Sequence, residues 1–438
     1  MQSSSLQLPR FGDGIGLART ARLGALLDID IAALGARSIA IAGSNGKGSV
    51  ARMLAAGLRA SGRRTAMFTS PHLFAFNERY EIDGRALDDA AILAAEQRVD
   101  EAIRQYREET DGEAVGAFEA SFLTACLLFA RNDLDDLVFE VGIGGRYDPV
   151  RLLKAPLSAL VSVDLEHTGL LGNSLQEIAL DKLDICPPGG RIIAGPSLAL
   201  LRPALETAAV RKDIVIEWSA ERIAVASFAD AWDTARFELD FAGHGLAIRT
   251  ALHGRHQADN AALALALLHQ RLKGEAPDRV AEAFAQAMAG LSNPGRMEVF
   301  DREPSLLLDA AHTPAAMSAV LGDIDALLAG APALALVAVS QDKDYRSLLR
   351  ALAGRFDHFI LAPAHRSLTP EEAAAILLEA NPAAEIEIAA NAAEALVRGD
   401  AMARRTGIRH IAGLGGLFWA GALRAELTGQ GAASLAFD

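Results

Sequence analysis

The chain has 438 residues, of which 51% are hydrophobic, and this is enough apolar surface to fill more than one core. Its 42 Lys and Arg residues against 56 Asp and Glu residues give a formal net charge of −14, so neither a nucleic-acid partner nor an acidic membrane surface is expected. We therefore expect an ordinary globular protein with two domains.

The sequence carries no visible signal for export or for cross-linking. Its amino terminus has no basic start followed by an apolar run, and its alanine- and leucine-rich segments are interrupted by charges or Gly. The two cysteines, Cys126 and Cys186, lie far apart, without a CxxC motif or a nearby Cys/His cluster. A cytoplasmic protein without a membrane span, a disulfide framework or a zinc site is the expectation.

Short apolar runs alternate with longer stretches of helical periodicity, a pattern typical of a parallel sheet covered by helices. In the first part of the chain the predicted strands are Ser38–Ala42, 137–141, 157–163, Arg191–Ala194 and 214–218. Helices fill the stretches between them. The last of these is a long helical run that begins near Asn260 and continues through Met288, with Arg255 and His256 in the loop before it.

The segment "GLSNPGRMEVF", residues 290–300, concentrates Gly, Asn, Ser and Pro and predicts a linker. After it, the apolar runs "SLLLDAAH", "ALALVAVS", "HFILAPA", "EIEIAA" and "RHIAGLGG" alternate with helical sequence such as Pro370–Ala380. A second, smaller α/β domain is therefore expected. The predicted boundaries are 1–292 for the first domain, 293–297 for the linker and 298–438 for the second domain.

The segment "IAIAGSNGKGSVARML", residues 39–54, has the composition of a phosphate-binding loop between a strand and a helix. Glycines let backbone N–H groups face phosphate oxygens, the helix N-terminus favours anions, a lysine reaches the outer phosphates, and a hydroxyl can ligate Mg²⁺. A glycine-rich turn that merely connects the two elements is the alternative. The residues assigned to the nucleotide are Gly43, Ser44, Asn45, Gly46, Lys47, Gly48 and Ser49.

The spacing of this loop differs from that of GTPases and kinases. Two residues rather than four separate the first glycine from the Gly-Lys pair, and Gly48 separates Lys47 from Ser49. This variant, "GSNGKGS", resembles the loop of the Mur ligase superfamily, in its folylpolyglutamate synthase and dihydrofolate synthase branch. Further segments in the family's order support the resemblance: "FTSPHLFAFNERYEIDG", "GAFEASFLTACLLFA", "LVFEVGIGGRYD", "SVDLEHTGLLG", "LHGRHQADNAALAL", "NPGRMEVF" and "LLLDAAHTP".

The resemblance implies a P-loop-containing central ATPase domain with a mostly parallel sheet, followed by a Rossmann-like C-terminal ligase domain that binds the incoming amino acid. It implies ATP- and Mg²⁺-dependent amide formation, in which L-glutamate is joined to a folate or dihydropteroate carboxylate through an acyl phosphate. It also makes a monomer the expected assembly. Two alternatives stay open: a paralogue that ligates another amino acid or acceptor carboxylate, and a degenerate protein that binds ATP without catalysis.

The family's site residues transfer to matching positions of this chain. A carboxylate at the end of the apolar strand "LVFE" is costly unless it faces a cation, so Glu140 stands out on its own, with a solvent-exposed strand end as the alternative. The resemblance implies a metal site and catalytic and nucleotide-binding groups. The metal positions are Ser49, Ser70, Glu140 and His167; the catalytic positions are Lys47, Glu140, His167, Lys182 and His312; further nucleotide-binding positions are Asn260, Arg296 and Asp309.

Lys182, in "DKLDI", occupies the place of a lysine that family members can carry as a carbamate. A surface lysine paired with Asp181 or Asp184 is the alternative. The resemblance also implies acceptor binding by Phe118, Arg146 and Asp148, with His312 near the incoming amine.

Besides "DKLDI", which stands where the family usually has "EKAGI", the chain departs from the family pattern in three places. Residues 149–151 replace the end of the family's "GGRLDATN", Thr313 replaces the Asn of "AHNP", and Leu414 replaces a late serine. A leucine cannot hydrogen-bond a carboxylate, so glutamate recognition requires another donor, for which the amides of Gly415 and Gly416 are candidates.

Overall fold

The computed structural model describes residues 3–430 of the chain. Its strands form three sheets. They are β1 Ser38–Ala42, β2 Thr65–Phe68, β3 Tyr80–Ile82, β4 Arg85–Ala86, β5 Asp136–Glu140, β6 Leu157–Leu160, β7 Arg191–Ala194, β8 Val215–Trp218, β9 Ile223–Ala231, β10 Thr234–Phe241, β11 His244–Thr250, β12 Glu298–Phe300, β13 Ser305–Leu308, β14 Ala333–Val337, β15 His358–Leu361, β16 Glu385–Ile388 and β17 His410–Leu414.

The helices lie between these strands or against the sheets. They are α1 Leu17–Leu26, α2 Ile31–Gly35, α3 Lys47–Ala60, α4 Asp89–Glu109, α5 Ala117–Ala130, α6 Thr168–Leu171, α7 Leu175–Leu183, α8 Arg202–Arg211, α9 Ser219–Arg222, α10 Arg255–Arg271, α11 Pro277–Ala289, α12 Pro314–Leu328, α13 Tyr345–Ala353, α14 Pro370–Ala380, α15 Ala392–Thr406 and α16 Leu417–Leu427. None of the helices within residues 3–430 is long and apolar enough to cross a membrane.

The largest sheet has the strand order β4-β3-β2-β5-β1-β6-β7-β8, and it is parallel except for β3 and β4 at one edge. The central strand β1 is buried along its whole length. Because side chains alternate along a strand, Ala40 and Ala42 contribute to the core under α4 and α5, whereas Ile39 and Ile41 contribute to the core under α3, α10 and α11. Helices therefore cover both faces, as the apolar runs predict.

The second sheet is an antiparallel meander of β9, β10 and β11. Residues of β10 alternate between buried and exposed, and Phe237, Leu239 and Phe241 join the core of α10 and α11. The strand predictions did not include this sheet.

The third sheet has the order β12-β13-β17-β14-β15-β16 and is parallel except for β12. Separate apolar clusters fill its two faces. Its parallel strands lie in the five apolar runs that predicted the second α/β region, and α14 has the expected bounds. The α/β fold class with two mostly parallel sheets is confirmed.

Two local predictions need correction. Strand β6 ends at Leu160 instead of Val163, and the residues after it bond to the end of β1 and to the phosphate loop, where the Ser44 amide donates to the carbonyl of Ser162. Helix α10 begins at Arg255, so the prediction that Arg255 and His256 lie in a loop is wrong. The positive φ of Gly254 turns the chain one residue before the helix and allows this earlier start.

A fully buried carboxylate ties the large sheet to α10. Asp136, at the start of β5, accepts hydrogen bonds from Arg63, which precedes β2, and from Arg271, the last residue of α10. Burying this carboxylate is tolerated because both oxygens have a cationic partner.

We expect Asp136→Asn to lower the free energy of unfolding by about 2–3 kcal/mol, because the amide has one acceptor for two partly buried guanidinium groups. Urea titration followed by intrinsic fluorescence measures the change. Glu109→Gln is the matched control, since the Arg22–Glu109 pair is exposed and should contribute less than about 1 kcal/mol. Equal shifts for the two variants would contradict the assignment.

Candidate active site

The phosphate loop connects β1 to α3 and contains two glycines with positive φ. Gly46 has φ +81° and immediately precedes α3, without a side-chain cap on the helix. The N-terminus of α3 therefore faces the cavity described below with uncapped N–H groups. A Cβ on Gly46 would lie 2.8 Å from Oδ1 of Asn260, so a side chain at this position would displace the Asn260 amide and strain the backbone.

Neighbouring backbone holds the loop in place. The amides of Ser44 and Asn45 donate to the carbonyl and the hydroxyl of Ser162, each at 2.9 Å, directly after β6. Lys47 Nζ donates to the carbonyls of Gly43 at 2.9 Å and Ser44 at 3.2 Å, which places the ammonium group inside the loop. This is the arrangement of a cationic cradle for phosphate oxygens.

Glu140 lies beside this cradle because its strand pairs with β1, where Ile41 and Glu140 are in register. Its side chain is only 6% exposed, which excludes a solvent-exposed strand end. Oε2 accepts a hydrogen bond from the Ser70 amide at 3.0 Å. Burial raises the pKa of Glu140, and the charge of Lys47 opposes the shift.

The donor set near Glu140 fits a hard cation that shares its coordination with a ligand. In the part of the chain that the structure describes, no three His, Cys, Asp or Glu side chains are grouped closely enough to hold a metal alone. Mg²⁺ typically takes one or two carboxylates and completes its shell with water and phosphate oxygens. Glu140, Ser49, Ser70 and His167 border one cavity, so these residues are able to hold such an ion once phosphate oxygens are present.

Lys182 is a buried lysine, so the surface alternative is wrong. Its side chain is 1% exposed, and Nζ lies 3.0 Å from Oε1 of Glu166, the residue before His167. Burial lowers the pKa of Lys182, and the charge of Lys47 adds to the shift while Glu166 opposes it. A larger fraction of neutral amine is the consequence. Lys182 itself does not line the cavity, but Glu166 does.

The carboxyl end of β13 supplies the opposite wall. Asp309 is 3% exposed and accepts hydrogen bonds from the amides of Met297 at 2.8 Å and Ala311 at 2.7 Å. Burial raises its pKa, and the charge of Arg296 opposes the shift.

His312 donates from Nδ1 to the carbonyl of Ala310 at 3.1 Å, which leaves Nε2 as an acceptor. Burial lowers the pKa of His312, so its imidazole is neutral near pH 7.

One cavity of about 740 Å³ brings these walls together. Its lining includes thirteen of the residues predicted from the sequence: Ser44, Asn45, Gly46, Lys47, Gly48, Ser49, Ser70, Glu140, His167, Asn260, Arg296, Asp309 and His312. The large sheet, α10, the linker and the third sheet all contribute. The cavity therefore has a phosphate-binding side and a second side that carries a neutral imidazole.

The predicted acceptor residues do not line the cavity. Phe118 packs against Gly142 and lies 5.8 Å from Phe68, ring to ring. Arg146 is exposed, with its guanidinium 5.1 Å from the centre of the Tyr147 ring.

Asp148 accepts hydrogen bonds from the amides of Gly142, Ile143 and Val150, and burial raises its pKa to about 6. It thereby fixes the loop whose residues Gly142 and Ile143 do line the cavity. Acceptor binding by these three residues stays a prediction.

Two of the departures from the family pattern have structural explanations. Thr313 Oγ1 accepts a hydrogen bond from the Ala316 amide at 3.2 Å and so caps α12. Leu414 is fully buried in the core of the third sheet and does not line the cavity.

Several cavity residues were not predicted from the sequence: Leu6, Arg10, His72, Arg79, Glu166, Lys343, Arg366 and Phe418. Arg79 Nε donates to Nδ1 of His72 at 3.0 Å. Glu166 adjoins His167 in the motif "SVDLEHTGLLG". Its position after a buried apolar run is the sequence feature that could have predicted it as a cavity residue. The others follow from tertiary packing, for which the sequence contains no local pattern.

Comparison with known proteins agrees with this geometry. The family described as Mur ligase, glutamate ligase domain matches residues 295–409. A dihydrofolate synthase/folylpolyglutamate synthase of Mycobacterium tuberculosis is 31% identical over 338 residues, covering 74% of this chain and 69% of that protein. A probable bifunctional folylpolyglutamate synthase/dihydropteroate synthase of Halobacterium salinarum is 34% identical over 79% of this chain, which spans only 42% of that longer protein.

Solved structures give the same result. Mycobacterium tuberculosis folylpolyglutamate synthase complexed with ADP superposes with a TM-score of 0.84 at 29% identity, and the match covers 95% of each chain. E. coli FolC in complex with DHPP and ADP superposes with a TM-score of 0.81 at 25% identity, covering 98% of this chain and 97% of that one. The fold and the site therefore define a protein of the Mur ligase class. Within it, the chain belongs to the dihydrofolate synthase/folylpolyglutamate synthase family.

We expect Glu140→Gln to weaken the Mg²⁺-dependent part of ATP affinity by about 10- to 100-fold, because an amide cannot supply the negative charge that a divalent cation requires. Calorimetric titration of ATP with and without Mg²⁺ measures this part. Glu101→Gln, an exposed substitution on α4, is the control. An unchanged Mg²⁺ dependence in Glu140→Gln would remove this residue from the metal site.

Proposed function

We propose that this protein is an ATP- and Mg²⁺-dependent ligase that joins L-glutamate to a folate or dihydropteroate carboxylate. The observation that carries the proposal is the single cavity in which the phosphate loop and Glu140 face Asp309 and His312. Such a ligase must activate a carboxylate with a phosphoryl group and then present an amine to it while excluding water, and a cavity between two sheets suits both requirements.

The proposed reaction has two displacements. An acceptor carboxylate oxygen bonds to the γ-phosphorus as the bond to ADP breaks, which gives an acyl phosphate. The glutamate nitrogen then bonds to the acyl carbon, and inorganic phosphate leaves with the C–O bonding electrons. Lys47 and Arg296 place positive charge near the transferring group, and Glu140 would hold a divalent cation that would add further positive charge there. In this proposal His312, which is neutral near pH 7, takes the proton that the amine loses.

Further roles belong to the same proposal. Asn260 and Asp309 contact the nucleotide, while Ser49, Ser70 and His167 complete the metal site. Lys182 carries the carbamate that the family resemblance implies, which requires the neutral amine that its lowered pKa favours. Phe118, Arg146 and Asp148 shape the acceptor site.

We also propose the organisation of the chain. Residues 1–292 form the ATP-binding domain, 293–297 the linker and 298–438 the amino-acid-binding domain, with 1–2 and 431–438 outside the described residues. The protein works as a cytoplasmic monomer without a nucleic-acid or membrane partner, consistent with its negative charge and its two free, buried cysteines.

Purified protein is expected to release phosphate from ATP only when both a folate or dihydropteroate acceptor and L-glutamate are present, because each displacement needs its own nucleophile. Phosphate release is measured together with the product mass, and Lys47→Ala should abolish both. Phosphate release that does not depend on the two substrates would contradict the ligase and favour a degenerate nucleotide-binding protein.

A second candidate is a ligase for a different amino acid or acceptor. The burial of Leu414 favours it, since no hydroxyl from this position reaches the cavity, whereas Lys343 and Arg366 line it. A panel of amino acids and carboxylate acceptors, read by phosphate release, separates the two candidates. Faster turnover with a pair other than folate and glutamate would replace the first proposal.

The role of His312 as proton acceptor predicts a pH dependence. At amino-acid concentrations below KM, the rate should fall with acidification in a limb whose apparent pKa lies below the ordinary 6.5, because burial lowers the pKa and only the neutral imidazole accepts a proton. His312→Gln should be slower and lack this limb, while His244→Gln, on an exposed hairpin, should keep it. An identical limb in both variants would assign it to another group.

A further inference from the structure

The start of α10 is an important edge of the cavity. His256, Asp259 and Asn260, all from the first two turns, line it, and Asn260 lies beside Gly46 of the phosphate loop. The residue before the helix is Gly254, which has no side chain to cap the first N–H groups. Another part of the protein must therefore satisfy this helix end.

The cap on α10 comes from the second α/β region, which is built around the third sheet. Asp323 lies in α12, the helix that follows Asp309 and His312. Its Oδ1 accepts a hydrogen bond from the Arg255 amide at 3.0 Å, and its Oδ2 accepts one from Nδ1 of His256 at 2.7 Å. Asp323, on a helix that packs against the third sheet, thus caps α10, which packs against the largest sheet. It also orients His256 at the cavity.

The backbone at Gly254 is shaped for this contact. Gly254 has φ +95°, and a Cβ there would lie 2.6 Å from Cε1 of His256 and 2.7 Å from Oδ2 of Asp323. A second carboxylate, Asp230 at the end of β9, accepts hydrogen bonds from the Gly254 amide at 2.8 Å and from Nδ1 of His253 at 2.7 Å. The turn at Gly254 is therefore held by two carboxylates. Asp230 comes from the neighbouring meander, and Asp323 comes from α12 beside the third sheet.

A ring contact supports the same relative placement. Trp232, in the turn between β9 and β10, stacks on His410 at the start of β17, with 4.4 Å between centroids and 11° between planes. This contact packs the meander against the third sheet, and neither ring lines the cavity, whereas Asp323 contacts α10 at the cavity edge.

We propose that Asp323 is a positioning residue, which holds the start of α10, with His256 and Asn260, in the geometry that binds the nucleotide across the two regions. The inference rests on the proposed function only in placing a nucleotide in the cavity. Asp323 acts through α10 and does not itself line the cavity.

Loss of the carboxylate should act on nucleotide binding more than on acceptor binding, because α10 adjoins the phosphate loop. We expect Asp323→Ala to weaken binding of a non-hydrolysable ATP analogue by about fivefold to tenfold, the size of a lost helix cap. The KM for ATP should rise similarly while the KM for the acceptor changes less than twofold. Asp323→Asn keeps one acceptor oxygen and should lie in between.

Hydrogen exchange supplies a readout that needs no activity. The Arg255 amide should exchange faster in Asp323→Ala, while amides in the second half of α10 keep their protection. The matched control is Asp325→Asn, which removes a carboxylate from the same helix that pairs with Arg355 within its own region. It should leave ATP-analogue binding and exchange at Arg255 unchanged. Gly254→Ala should reproduce Asp323→Ala, because its Cβ displaces the carboxylate.

The outcomes separate this inference from the proposed ligase. Wild-type affinity and exchange in Asp323→Ala, or equal losses in Asp325→Asn, would overturn the positioning role. Selective losses in Asp323→Ala and Gly254→Ala support it. If wild-type protein binds the ATP analogue but does not join any acceptor to glutamate, the proposed ligase activity is wrong. The binding and hydrogen-exchange measurements on the Asp323 variants still decide the positioning role.

Discussion

The parallel pairing of β1 with β5 is the constraint on which the rest of the site depends. It places the phosphate loop after one strand and Glu140 at the end of its neighbour, so a cationic cradle and a buried carboxylate lie side by side. Each is energetically unfavourable without a partner, because burial raises the pKa of Glu140 and the N-terminus of α3 has no side-chain cap. A nucleotide phosphate with its cation would satisfy both at once.

The second sheet of parallel strands completes this arrangement by the same principle. Parallel strands end at one edge of a sheet, and the carboxyl end of β13 delivers Asp309 and His312 toward the cavity, as β1 and β5 deliver Lys47 and Glu140. The chemistry is thus divided between two sheets. Its geometry depends on contacts that cross between them, and a carboxylate on α12 caps α10 where the two layers meet.

Local signals predicted the strands and the phosphate loop, because glycines, apolar runs and a strand-end carboxylate all act over a few residues. The family resemblance extended this to Asn260, Arg296, Asp309 and His312, which the structure collects in one cavity. The meander of β9–β11 and the start of α10 at Arg255 escaped prediction. Both depend on partners distant in sequence, namely the core of α10 and α11 and the carboxylate of Asp323.

The departures at Thr313 and Leu414 carry different weight once they are placed in the fold. Thr313 keeps a capping oxygen at the start of α12, so its position has retained a structural task. Leu414 is fully buried on β17 and packs in the core, so no polar group from this position reaches the cavity. The two glycines that follow, both with positive φ, lead into α16, whose first residues Leu417 and Phe418 do line the cavity. On this side the cavity therefore offers the N-terminus of α16 and the cationic side chains of Lys343 and Arg366, and no group from position 414.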